Sequence, residues 1–207
     1  MLTNEQIEQN KNEFLSYVNS IKRENSNIEK LISKLEASDF FTAPASTKYH
    51  GAFEGGLCRH SLDVFIILKN LVAMTQLEIP EETLVIVSLF HDISKMNNYE
   101  QTCFNKKVYS ELGSKSDNNG RFDWVSEMGY KTKDAKDRFV YGNHEQNSEY
   151  MIRQFIPLKL EESVAILHHH GGMGWDSTQM DISTIYQKYP LALLLHQADM
   201  MCAYMYN

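Results

Sequence analysis

Leu84-Val85-Ile86-Val87-Ser88-Leu89-Phe90-His91-Asp92-Ile93-Ser94-Lys95 is the stretch on which the reading of this chain turns. An apolar run leads straight into adjacent His91 and Asp92. Both groups are therefore expected inside the molecule, where an ionised carboxylate needs a cation or a full set of hydrogen bonds. A metal ion meets that need most economically. Pro80 suits the first turn of the helix bearing this run, and Glu81 and Glu82 are favourable near its positive end. The helix is expected to carry His91, Asp92 and Lys95.

Upstream, His60, Val64, Ile67, Leu68 and Leu71 fall on one face of a helix that begins near Gly56 and runs to about Gln76, which points His60 inward. Residues 40–56 hold Pro44, Gly51, Gly55 and Gly56 with little periodicity and read as a structured loop. Before them, Phe14, Val18, Ile21, Ile28, Leu31 and Leu35 recur at helical spacing, with a break expected at Ser26-Asn27. Downstream, residues 97–140 turn polar, and Asp117-Asn118-Asn119-Gly120 lies between two aromatic-bearing stretches, so a short β-hairpin excursion is expected around residues 100–135. Helical pattern resumes over residues 144–155, 160–170 and from Tyr189 onward, with Pro157 separating the first two. The fold class is mainly α, with residues 1–40 an amphipathic segment packed on a domain formed by residues 41–207.

At 207 residues and 43% hydrophobic content, the chain can bury one substantial core. A net charge of -7 argues against a protein that binds by covering nucleic-acid phosphates with Lys and Arg, but leaves a small anion held by metal compatible. Cys58, Cys103 and Cys202 have no paired spacing, so neither a disulfide framework nor a cysteine zinc site is expected and a reducing compartment fits. No run approaches the ~20 apolar residues of a membrane span, and no export signal is read at the N-terminus. A cytoplasmic protein without membrane partners is the expectation.

Taken singly, His60, His91, His144 and Asp199 each read as ordinary core or helix-end residues. Taken together with the run His168-His169-His170, they spread imidazole and carboxylate groups over several helices, the way helical bundles build metal sites. Mixed His and Asp ligation suits Mn, Fe, Zn, Co or Ni better than Mg. The set exceeds the needs of one tetrahedral ion, which favours two ions bridged by Asp92.

His60, His91-Asp92 and Asp199 resemble the H...HD...D signature of the HD-domain metal-dependent phosphohydrolase superfamily. Tyr49-His50-Gly51-Ala52-Phe53-Glu54-Gly55-Gly56-Leu57 with His60-Ser61-Leu62 is similar to the entry segment of bacteriophage and prophage HD hydrolases, and Tyr189-Pro190-Leu191-Ala192 through His196-Gln197-Ala198-Asp199-Met200 to their last motif. The HD domain of bacterial 3′ to 5′ exoribonucleases has related segments, including His169-His170-Gly171 with Trp175 shortly after. The resemblance covers residues 41–204.

What the resemblance implies is an HD helical bundle in which His60, His91, Asp92 and Asp199 hold one ion, and His144 and His169 hold a second with Asp92 between. His170 is a further candidate ligand and His168 the least suited. Lys95 in the HDxxK position is implied to stand near substrate, with His50 and Arg59 as candidate substrate contacts; Arg59 stands where the relatives carry a glutamate. The implied reaction is hydrolysis of a phosphomonoester or phosphodiester of a nucleotide or short oligonucleotide by metal-activated hydroxide, in a bacterial or phage-infected cell. Nothing in residues 1–40 resembles the nucleic-acid module of the exoribonucleases, which favours small substrates. Two other classes stay open: an HD-fold diiron oxygenase, and a non-catalytic module in which metal stabilises nucleotide binding or an interaction surface. Oligomeric state is open as well, with the N-terminal helix expected to cap its own core.

Overall fold

Thr3 opens the first helix. In the computed structural model, which describes residues 1–171 and 182–205, its Oγ1 accepts from Gln6 N while its own N–H donates to the Gln6 side chain. This capping box satisfies two of the donors that a helix start leaves free, and α1 then runs over Asn4–Ser20. The expected break follows: Asn25 takes a positive φ of 59°, and Asn27 caps α2 (Ile28–Glu36) by accepting from Lys30 N at 3.1 Å.

The loop before α3 (Gly56–Thr75) folds back on itself. Gly55 adopts φ +79°, and a Cβ on Gly56 would lie 2.1 Å from Gly51 O, so only glycine permits this approach. The sharp turn starts α3 where expected and places His60 in its second turn. α4 (Glu81–Phe90) is buried from Thr83 to Phe90 and so has no solvent face.

One expectation is corrected here. The helix that was to carry His91, Asp92 and Lys95 ends at Phe90, with His91 as its C-cap and residues Ile93–Lys95 in a 3-10 turn. Asp92 leaves α geometry at φ -109°, ψ 13°. In a 3-10 turn residues i and i+3 eclipse, so Lys95 comes to lie over Asp92. The tightening therefore sets up the pair on which the site depends.

Beyond Asn98 an antiparallel arm departs: β1 (Tyr99–Tyr109), β2 (Lys115–Asp117) and β3 (Gly120–Thr132), in the order β1-β3-β2. Tyr99 pairs with Thr132, Tyr109 with Phe122, and Asp117 with Gly120 across the expected turn. The excursion is thus longer than a short hairpin. Trp124 in β3 is 49% exposed, while Phe122, covered by Tyr109 and by the Lys107 ammonium 4.3 Å from its ring, is the buried aromatic of the arm. The strands pair with one another, and no helix among the described residues packs broadly on them. At its root Lys133 N donates to Asn98 O at 3.0 Å. Excising residues 101–130 and joining the ends by a two-residue turn is expected to shift the melting temperature by less than about 4 °C, the change that ~1 kcal/mol produces in a domain of this size. Loss of cooperative unfolding in that variant would show that the arm supports the core.

The chain returns through a second 3-10 turn (Ala135–Asp137) to α5 (His144–Arg153), α6 (Leu160–Leu167), α7 (Ile182–Lys188) and α8 (Pro190–Met205). α6 stops before the triple histidine rather than running through it, and α7 has no counterpart in the sequence reading. α3 packs on α4 and α8, and α6 packs on α4, α5 and α8, so the ends of these helices meet in the middle. α1 joins the same core: Phe14 lies 5.0 Å from Phe40 and 5.7 Å from both Phe41 and Phe90, centroid to centroid. The molecule is mainly α, all three cysteines are free, and among the described residues no helix is long and apolar enough to cross a membrane.

Candidate metal centre

The residues singled out in sequence arrive from different elements. His60 comes from the second turn of α3, His91 and Asp92 from the end of α4, His144 from the first residue of α5, His169 and His170 from the turn after α6, and Asp199 from α8. The start of α5 is fixed by Asn143, whose side chain accepts from Gln146 N at 2.9 Å. His60, His91, Asp92, His169 and Asp199 are all 5% exposed or less.

Asp92 sits between two histidine sets. Its Oδ2 lies 3.6 Å from His60 Nε2 and 3.5 Å from His91 Nε2, and its Oδ1 lies 2.5 Å from His144 Nε2 and 3.7 Å from His169 Nε2. Asp199 likewise spans the centre, with Oδ1 3.0 Å from His60 Nε2 and 3.8 Å from His91 Nε2, and Oδ2 3.6 Å from His170 Nε2. Groups of three donors close enough to share an ion are His60-His91-Asp92, His91-His169-Asp199, His50-His60-Asp199 and His144-His169-His170. These buried groups can hold a metal ion.

The outer hydrogen bonds aim the ring nitrogens inward. His91 Nδ1 donates to Ser88 O at 2.7 Å and His169 Nδ1 donates to Ile166 O at 2.7 Å, because a carbonyl can only accept. Ser94 Oγ gives its proton to His144 O and so accepts from His144 Nδ1 at 2.9 Å. Each ring therefore turns Nε2 toward the middle, as metal-ligating histidines do when their other nitrogen is tied to a backbone or side-chain acceptor. Burial is the main cause that lowers the His91 pKa, to about 3, and that lowers His144 as well, so both stay neutral near pH 7.

What remains is a set of atoms with nothing to bond. Asp92 Oδ1, His144 Nε2 and His169 Nε2 are buried without a hydrogen-bond partner, and the 2.5 Å approach of the first two lacks hydrogen-bond geometry. Buried polar atoms left in this state are rare in folded proteins. A carboxylate oxygen lying 2.5 and 3.7 Å from two imidazole nitrogens, all three without hydrogen-bond partners, suits a cation that would satisfy them.

Lys95 Nζ holds Asp92 Oδ2 at 2.6 Å. Burial opposes ionisation of both groups, yet the Lys95 charge keeps the Asp92 carboxyl well below its usual range, and Asp92 raises Lys95 in return. His50 stacks against His60 with 4.8 Å between ring centroids. Arg59, a candidate substrate contact, is ion-paired with Asp63 one turn along α3. His168 Nδ1 is tied to Val164 O at 2.8 Å and enters none of the donor groups. Trp175 lies outside the described residues.

One participant escaped the sequence reading. Glu145 Oε1 accepts from His170 Nδ1 at 2.9 Å, which orients His170 Nε2 toward Asp199. Burial would raise the Glu145 carboxyl, but the His170 bond and its neighbours take it down to about 2. Its position directly after His144 was the available signal. Ser94 and Ser148, which link the 3-10 turn to α5 at 2.9 Å, carry no signal of that kind. Compared with known proteins, the chain matches no family model, no curated protein and no solved structure.

Proposed function

We propose that this chain is a metal-dependent phosphohydrolase whose centre holds two divalent transition-metal ions, one on each side of Asp92, and whose substrate is a phosphomonoester or phosphodiester of a nucleotide or short oligonucleotide. The observation that carries the reading is Asp92 itself: Oδ2 faces His60 and His91, Oδ1 faces His144 and His169, and the Oδ1 side is unsatisfied. A carboxylate with a separate imidazole pair at each oxygen suits bridging. His60, His91, Asp92 and Asp199 would hold the first ion, and His144, His169 and Asp92, with His170, the second. Mn, Fe, Zn, Co and Ni suit this donor set better than Mg. Bound ions in such sites supply Lewis acidity toward phosphoryl oxygens and a water acidified to near-neutral pKa.

The residues around them have separable tasks. Lys95 balances the Asp92 charge and presents an ammonium to the phosphoryl group as charge builds on it. Glu145 and Ser94 hold His170 and His144 in orientation. The resemblance to HD hydrolases supports the same assignment. The test is phosphate release from a panel of nucleotides, dinucleotides and short RNA and DNA, using metal-stripped protein refilled singly with Mn, Fe, Co, Ni, Zn or Mg. Turnover that depends on the added metal and disappears in Asp92→Ala is expected. Silence across the panel with metal fully loaded would overturn the reading, and oxygen uptake by the iron form would replace it with the oxygenase.

A further inference from the structure

A cavity of about 730 Å³ opens on the His60 side of the centre, between α1 and the loop that leads into α3. His60 and His50 form its inner end, and His50 and His60 offer donor atoms within 4.8 Å of an Asp199 oxygen. Whatever occupies the cavity therefore reaches the metal centre.

We propose that this cavity is a nucleobase subsite, that Asn10 of α1 is the residue that reads the base, and that the substrate is accordingly a nucleoside monophosphate or its ester. The proposal rests on the phosphohydrolase reading for the phosphate end and on the following observations for the base end.

Asn10 occupies the apolar stripe of α1, four residues before Phe14 and eight before Val18, and all three are buried. Asn10 is 7% exposed and lines the cavity, and its Nδ2, closed off from solvent, has no acceptor among the described residues. His50 lines the same cavity, and its Nε2 is likewise buried without a partner. A buried carboxamide without bonds weakens a helix stripe unless something else takes those bonds. A carboxamide presents a donor and an acceptor side by side, which is the arrangement that pairs with the edge of a base.

The rest of the lining fits a flat, uncharged ring. Tyr49, 78% exposed, and Phe53 offer aromatic faces on which a base can stack. Arg59 is the one Lys or Arg among the described lining residues, and Asp63 holds its guanidinium. The cavity thus lacks an unpaired cation for further phosphates, which favours a monophosphate over a polyphosphate. Its volume falls within the range of small-molecule sites.

Binding of adenosine, guanosine, cytidine, uridine and ribose to the full chain, with and without Mn, measured by titration calorimetry, tests the subsite apart from catalysis. One nucleoside is expected to bind about 10-fold or more tightly than ribose, the discrimination one bidentate contact supplies. Asn10→Asp, which keeps the shape and replaces the donor pair by an acceptor, is expected to change the order of base preference. Asn10→Leu is expected to erase the preference while thermal melts report its folding. Nucleosides that bind no better than ribose, or an unchanged order in folded Asn10→Asp, would overturn the subsite. Hydrolysis of p-nitrophenyl phosphate by the native protein keeps the two readings apart. Cleavage without base preference leaves the hydrolase and removes the subsite, whereas base preference without cleavage of any ester does the reverse.

Discussion

Asp92→Asn is expected to lower metal affinity by more than about 100-fold, beyond the 10- to 100-fold that loss of a hydrogen bond supporting a ligand costs, and to abolish turnover with it. The reason lies in the two-sided geometry. One carboxylate serves the His60-His91 set through Oδ2 and the His144-His169 set through Oδ1. Its loss would therefore remove a ligand from both of the proposed ions and leave Lys95 buried beside a neutral amide. Thermal unfolding separates binding from chemistry. An ion at 100 times its dissociation constant stabilises the folded chain by ~2.7 kcal/mol, so the native protein should melt higher in Mn or Zn, while Asp92→Asn should melt at the same temperature with and without the metal. A metal-induced rise of native size in Asp92→Asn would remove Asp92 from the ligand set.

Arg23→Met is expected to destabilise the fold by about 3–5 kcal/mol, the usual result of stripping one partner from a buried ion pair. Arg23, in the turn between α1 and α2, donates Nη1 to Glu162 Oε2 and Nη2 to Glu162 Oε1, both at 2.8 Å, and Nη2 to Glu82 Oε2 at 3.0 Å. Glu162 on α6 is fully buried and also accepts from Thr83 Oγ1 and Lys159 N. Without the guanidinium its charge loses the partner that makes burial tolerable. The pH dependence follows in sign. Burial alone would raise the Glu162 carboxyl, but the bonds from Arg23, Lys159 N and Thr83 together outweigh it, Arg23 contributing most, and hold the group below its ordinary value of 4.5. Its stabilisation is therefore complete above that value and is lost as pH falls through the lower folded-state pKa, where the unfolded chain binds more protons. Urea melts should show native stability falling as pH drops below about 4.5 more steeply than that of Arg23→Met. Equal stability of the two proteins at pH 7 would contradict the role of the network.

The elements legible in the sequence were those with strong periodicity or punctuation. Phe14 and Val18 mark α1, the glycines before Leu57 mark the start of α3, and Asp117-Asn118-Asn119-Gly120 marks the turn of the arm. His60, His144 and Asp199 were legible at helix faces or ends, whereas Asp92 was placed on a helix that in fact ends at Phe90, and His169 was singled out within the triple histidine only through the resemblance, on a helix that in fact stops at Leu167. Local backbone changes were not. The 3-10 turn over Ile93–Lys95 spans too few residues to leave a period, yet it brings Lys95 over Asp92. Long-range polar pairs were equally hidden: nothing local in Arg23 or Glu162 announces a partner more than 100 positions away. Asn10 was not singled out in the sequence, because its meaning depends on the cavity it lines.

Two ions divided by the Asp92 carboxylate would be seen directly by diffraction. The most direct measurement is anomalous scattering from crystals of metal-stripped protein soaked in manganese or zinc. Two peaks about 3.5–4 Å apart are expected, one against Asp92 Oδ2 with His60 and His91, the other against Asp92 Oδ1 with His144 and His169. No peak within bonding distance of Asp92 after saturation would contradict the two-ion centre.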